Sequence, residues 1–193
     1  MKHKASYILA AAACVGLLTT ACGNNTSSSK KSSSITSSSS KVVKSKKVIP
    51  SANAKNRPWT YKNNVYDAGI ETYTFTDYKV LKESSDNSKV LVLFCDVTNN
   101  SDKEQDPSNV YMVVHAYQKT DTSDYKLEPG ILPLDKDGNT MYQEQSDNLN
   151  NKLLPGKTAK ACMVFKLKNN NPVKVTFEDP NFDEIGSKTY KIN

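Results

Sequence analysis

The side chains able to attack an electrophile, carry a proton or ligate a metal are few in the body of this chain. The two histidines are His3 and His115, and the four cysteines are Cys14, Cys22, Cys95 and Cys162. His115 has no second histidine near it with which to build a zinc set. A Ser-His-Asp or Cys-His arrangement could form only around His115, and no Gly-x-Ser-x-Gly turn accompanies it. With Tyr111 and Tyr117 on its face of a strand, His115 reads as a strand-surface residue, and an enzyme built on it ranks last among the expectations. Asp135-Lys136-Asp137-Gly138-Asn139 has the acidic spacing of a calcium loop. Its glycine comes fourth and not sixth, however, and the twelfth position is Ser146 where a bidentate glutamate is needed, so a turn accounts for it better. The acidic sets Asp102, Glu104, Asp106 and Glu178, Asp179, Asp183, Glu184 read as solvated loops. Neither a metal nor a cofactor is expected.

The other two cysteines sit in an apolar N-terminal stretch. Lys2 and Lys4 precede Tyr7 to Leu18, a mostly apolar run of signal-peptide length that falls short of the roughly 20 residues a membrane span needs. Leu17-Leu18-Thr19-Thr20-Ala21-Cys22-Gly23 follows. It resembles the lipobox of bacterial lipoproteins, with Thr19 standing where leucine is usual. The resemblance implies that Cys22 receives diacylglycerol and that residues 1–21 are removed as the signal. The protein would then be held at the extracytoplasmic face of the cell membrane by acyl chains, each buried CH₂ contributing about 0.8 kcal/mol.

Charge divides the chain at the same place as composition. Residues 1–66 carry ten Lys and Arg57 without one acidic residue, so the net charge of +6 leaves the remainder acidic by five. Residues 22–57 are rich in Ser and Lys and are expected to form a disordered tether, having too few apolar groups to offset the entropy of folding. Lys30, Lys31, Lys44, Lys46 and Lys47 are placed to meet anionic lipid or a wall polymer, although a solvated spacer is the simpler reading. Nucleic acid is not an expected partner, because the foldable part lacks a basic surface.

From residue 58 to residue 193 the periodicity is two. Thr72 to Thr76 alternates threonines with aromatics, Lys89 to Thr98 is apolar on both faces as a central strand would be, and Asn109 to Gln118, Lys157 to Leu167, Pro172 to Phe177 and Lys188 to Ile192 read the same way. No convincing amphipathic helix interrupts them. About seven short strands predict an antiparallel β-sandwich or barrel, with the sandwich the better fit. Lys119 to Leu154 is a long excursion of the kind that is either functional or a decorated loop. An exported sandwich with one cysteine on an early strand and one on a late strand raises an inter-sheet disulfide between Cys95 and Cys162. Parity argues for two free thiols: Cys95 shares a face with Leu91, Leu93 and Val97, whereas Cys162 shares one with Lys160 and Lys166 and is expected to point outward.

Leu91 to Asp102 with its Val-Thr-Asn-Asn-Ser-Asp ending, Tyr117-Gln118, and Leu154-Pro155-Gly156-Lys157 before Val164-Phe165-Lys166-Leu167 resemble a family of secreted immunoglobulin-like bacterial domains of unknown function. That family is similar in fold to the mycobacterial immunoprotective antigen group. The motifs are strand ends and turns, so the resemblance implies a sandwich and brings no catalytic or binding residue with it. Taken together, the sequence leads us to expect a non-enzymatic interaction module of the envelope that presents sandwich-end loops to a protein or glycan. An envelope spacer without a discrete ligand is the alternative.

Overall fold

The computed structural model describes residues 48–82 and 88–192. The signal segment, Cys22 and the tether lysines Lys30, Lys31, Lys44, Lys46 and Lys47 lie outside the described residues. Nine strands form two antiparallel sheets. β1 (Thr60–Lys62) and β2 (Val65–Asp67) make a hairpin on Asn63 and Asn64, whose φ values of 52° and 64° give the left-handed two-residue turn that matches strand twist. β3 (Glu71–Lys82) and β4 (Lys89–Asn99) pair along their length, with a bulge between Phe75 and Asp77. β7 (Thr158–Lys166) closes the first sheet in the order β1-β2-β3-β4-β7. β5 (Val114–Lys119), β6 (Asp124–Lys126), β8 (Val173–Glu178) and β9 (Glu184–Tyr190) form the second in the order β6-β5-β8-β9. The architecture is the expected β-sandwich, with nine strands instead of about seven. The additions β1, β2 and β6 are each three residues long, too short to show a period of two.

Three expectations need correction. Asn109 to Gln118 is not one strand, because Pro107–Met112 is a 3-10 turn whose N-cap, Asp106, accepts from the Ser108 amide and whose first residue is Pro107. A helix does occur: α1 (Gln143–Asn150) lies inside the long excursion. Finally, packing among the described residues extends ahead of residue 58. Ala54 is buried in a 3-10 turn (Ala52–Asn56), and the Ser51 amide donates to the Asn100 carbonyl at 2.9 Å.

The sandwich core lies between the sheets. Tyr73, Phe75, Leu91, Leu93, Cys95, Val97, Met163 and Phe165 from the first sheet meet Val114, Ala116, Val173, Val175 and Phe177 from the second. Tyr61 stacks on Phe177 with ring centroids 3.8 Å apart, and only a glycine fits at Gly186, where a Cβ would come within 2.6 Å of the Tyr61 ring.

β4 is apolar on both faces because it is covered on both. Val90, Val92, Cys162 and Val164, on the outer face of the first sheet, pack with Leu132 from the excursion into a second, smaller core, against which Leu81, Phe94 and Tyr142 are set. Gly130 passes so close to Val90, Val164 and the Lys166 amide that a Cβ would sit 3.0 to 3.1 Å from them. The excursion also closes the free edge of β7. The Gly130 amide donates to the Val164 carbonyl at 2.9 Å, the Lys166 amide to the Glu128 carbonyl at 2.9 Å, and the Val164 amide to the Tyr111 hydroxyl at 2.8 Å. An open edge would invite pairing with another chain, and from Val164 to Lys166 this one is taken up within the chain.

Candidate functional site

The expected candidates resolve into structural roles. Cys95 and Cys162 are both free and buried. They belong to neighbouring strands of one sheet, Cys95 opposite Ala161 and Phe94 opposite Cys162, so they point to opposite faces. The parity is as read, but Cys162 is not outward to solvent, since the excursion buries it in the second core. Burial holds the Cys162 thiol up at about 11 and raises Cys95 as well, with Cys162 and Asp96 adding to the shift of Cys95. Inert thiols result. His115 stands on the outer face of the second sheet with Nε2 3.5 Å from Glu178 Oε2. Burial, followed by Lys126, lowers its pKa, and Glu178 opposes them. Asp135 closes a turn by accepting from the Asp137 and Asn139 amides, both at 2.9 Å. Among the described residues no group of three His, Cys, Asp or Glu side chains could hold a metal. Asp179 similarly accepts from the Asn181 and Asp183 amides at 2.8 and 3.1 Å.

Two of the concavities among the described residues carry aromatic walls beside charged groups. One, of about 280 Å³, lies on the outer face of the first sheet, where α1 approaches β3, β4 and β7; Lys79, Phe94, Asp96, Tyr142 and Lys160 line it. Tyr142 sits at φ 55° before α1, a strained place for a tyrosine. Its ring meets Phe94 edge-on at 4.8 Å, and its hydroxyl accepts from Lys79 Nζ at 2.7 Å.

The other concavity, of about 190 Å³, lies at the end of the sandwich where the chain enters the body. Trp59 and Tyr66, in edge-to-face contact at 6.0 Å, form its aromatic wall. Ala68, Ile70, Val110 and Val113 supply aliphatic surface, and Met112, 61% exposed, stands at the lip. Into this apolar lining the head of β3 brings one carboxyl group. Glu71 is only 5% exposed. The Tyr73 hydroxyl lies 2.9 Å from Glu71 Oε2 and 2.9 Å from the Pro107 carbonyl, while Glu71 Oε1 is buried without a hydrogen-bond partner. Burial pushes Glu71 up to about 7, the hydrogen bond from Tyr73 opposes this, and Asp106 adds to it. The one phenolic proton of Tyr73 faces two acceptors. A protonated Glu71 relieves this by donating to Tyr73 Oη, which frees the phenolic proton for Pro107. A mostly apolar pocket into which a buried carboxyl of perturbed pKa converges with two phenols and Asn109 has the form of a small-ligand site. Nothing in the sequence pointed to it, because a single glutamate before a Thr/aromatic alternation looks like any strand head.

Residues 46–179 match the family model of a domain of unknown function, DUF5067. The chain belongs to the DUF5067 family. The match spans the described residues up to Asp179. Among solved structures the chain is similar to a candidate lipoprotein from Staphylococcus aureus subsp. aureus NCTC 8325, at 17% identity and a TM-score of 0.62, covering 70% of this chain and 92% of that one. It is also similar to a protein from Enterococcus faecalis, at 19% identity and a TM-score of 0.57, covering 70% and 94%. Both are likenesses of fold. No curated protein matches the chain.

Proposed function

We propose that this DUF5067 protein is a lipid-anchored lipoprotein of the extracytoplasmic membrane face, and that its sandwich is a non-enzymatic binding module with the Trp59, Glu71 and Met112 pocket as ligand site. The observation that carries the reading is the Glu71 carboxyl. An unpaired buried polar group costs about 1 to 3 kcal/mol, and an apolar residue of similar shape would serve the fold better. Cys22, in its lipobox-like setting behind the apolar run, supports the anchor, as does the fold shared with the Staphylococcus aureus candidate lipoprotein. The immunoglobulin-like kinship with the mycobacterial immunoprotective antigen group, read from the strand-end motifs, is part of the same proposal. So is contact of Lys30, Lys31, Lys44, Lys46 and Lys47 with anionic lipid or wall polymer.

Two measurements test the two halves of this reading. Intact mass and detergent partitioning of the mature protein beside Cys22→Ala should show a diacylglyceryl shift that the variant lacks; an unmodified, water-soluble product would remove the anchor. Trp59 is the one tryptophan of the chain and lines the pocket, so its emission reports on occupancy. Small-molecule fractions of envelope extract should shift that emission in the wild type and not in Ala68→Leu, whose larger side chain fills the pocket. Indifference of the wild type to every fraction would sink the binding reading.

A further inference from the structure

We infer that the pocket receives an alkylammonium group, ion-paired to Glu71 and held against the aromatic faces of Trp59 and Tyr66. This rests on the pocket being the ligand site and adds the chemical class of the ligand. The argument begins with charge. The titratable groups facing Glu71 are Tyr73 on its own strand and Asp106 ahead of the 3-10 turn, with the Tyr66 phenol on β2 beyond Tyr73. None of these is a cation, and Arg57, the one arginine of the sequence, pairs with Asp67 instead. A buried carboxylate among acids and phenols lacks only a positive partner. Aromatic walls are the second element, since an ammonium over a Trp or Tyr face gains cation–π attraction that grows as water is excluded. Size is the third. A cavity of about 190 Å³ holds about six non-hydrogen atoms at roughly 30 Å³ per water-sized group, which suits a short alkyl chain with its ammonium head.

An alcohol could also donate to Glu71 Oε1, but it would not need the carboxylate ionised. A cation does. With Glu71 half-ionised at about 7, the competent fraction, and with it the apparent affinity for ammonium, rises about tenfold between about pH 6 and about pH 8.

The test uses the full chain in maltoside micelles, following Trp59 emission and the ¹³C carboxyl resonance of Glu71 while n-butylammonium chloride or 1-butanol is added. The expected result is saturable binding of n-butylammonium, about tenfold tighter at the higher pH, accompanied by a shift of the Glu71 resonance to its ionised position and weakened at least tenfold by Glu71→Gln. If 1-butanol binds as tightly and neither ligand responds to pH, the ammonium assignment falls while the pocket stands. If neither ligand moves Trp59 emission or the Glu71 resonance, the pocket reading falls with it. The resonance of the wild type decides the matter even where the variant folds poorly. A free amine and a lysine side chain of a partner protein present the same group. Tighter binding of Nα-acetyl-lysine methylamide than of n-butylammonium would assign the source to a protein, and the reverse order to a small amine.

Discussion

Glu71 and Asn99 stand directly opposite each other where β3 begins and β4 ends, both are buried, and their polar atoms are treated in opposite ways. Asn99 makes every bond its amide can offer. Its Nδ2 donates to the Lys103 and Leu153 carbonyls at 2.7 and 2.8 Å, and its Oδ1 accepts from the Ser101 amide and hydroxyl at 2.9 and 2.8 Å. Asn100 beside it donates to the Gly69 carbonyl and to Thr72 Oγ1. Gln118 repeats the solution in the second sheet. Fully buried, it donates to the Asn169 and Asn171 carbonyls and accepts from the Lys168 and Asn169 amides. These residues lie at strand ends, and their hydrogen bonds fasten loops to them. Glu71 belongs to none of the motifs and is left one bond short. A buried polar group with all its partners is explained by the fold; one that lacks a partner asks for something outside it.

That contrast can be broken by substitution. Asn99→Ala should be the most damaging change, at about 4 kcal/mol in a urea titration, because it removes four hydrogen bonds at once and takes from the buried Ser101 amide its acceptor. Gln118→Ala should cost about 3 kcal/mol by the same measurement. Glu71→Gln should move stability the other way. The folded pKa of Glu71 is raised from 4.5 to about 7, so its contribution to stability is fully present below pH 4.5 and is lost as pH rises through 7. Above about pH 8 the variant should therefore be the more stable by about 3 kcal/mol, with the difference vanishing in acid. A wild type no less stable at pH 8 than at pH 5, relative to the variant, would mean that Glu71 has a partner after all. The smallest effect belongs to Tyr190→Phe. The Tyr190 hydroxyl is also buried without a hydrogen-bond partner, but it packs in the main core away from the pocket. Removing it should raise the free energy of unfolding by about 1 kcal/mol. A large loss there would blur the line drawn between saturated and unsaturated groups.

The sandwich was legible in the sequence because alternation survives wherever a strand has one wet face, as in Thr72 to Thr76. Lys89 to Thr98 was legible for the opposite reason, since two apolar faces announce cover on both sides. What supplies the outer cover was hidden in the excursion from Lys119 to Leu154, where Leu132 and Tyr142 are scattered among polar residues. The 3-10 turn at Pro107 had a signal that alternation masked, namely Asp106 capping and Pro107 at the first position. The pocket had none. It is assembled by Trp59, Glu71 and Met112 from three separate segments, and the burial of Glu71 exists only once they meet.

The two cysteines turn this layered construction into something that can be timed. Cys95 is sealed between the sheets and Cys162 beneath the excursion, with the sheet itself as the barrier between them. A thiol-specific reagent added to the native protein therefore reads two clocks. Labelling of Cys162 marks each occasion on which the cover lifts, labelling of Cys95 marks opening of the sandwich, and the ratio of the two rates gives the independence of one layer from the other without a single engineered probe.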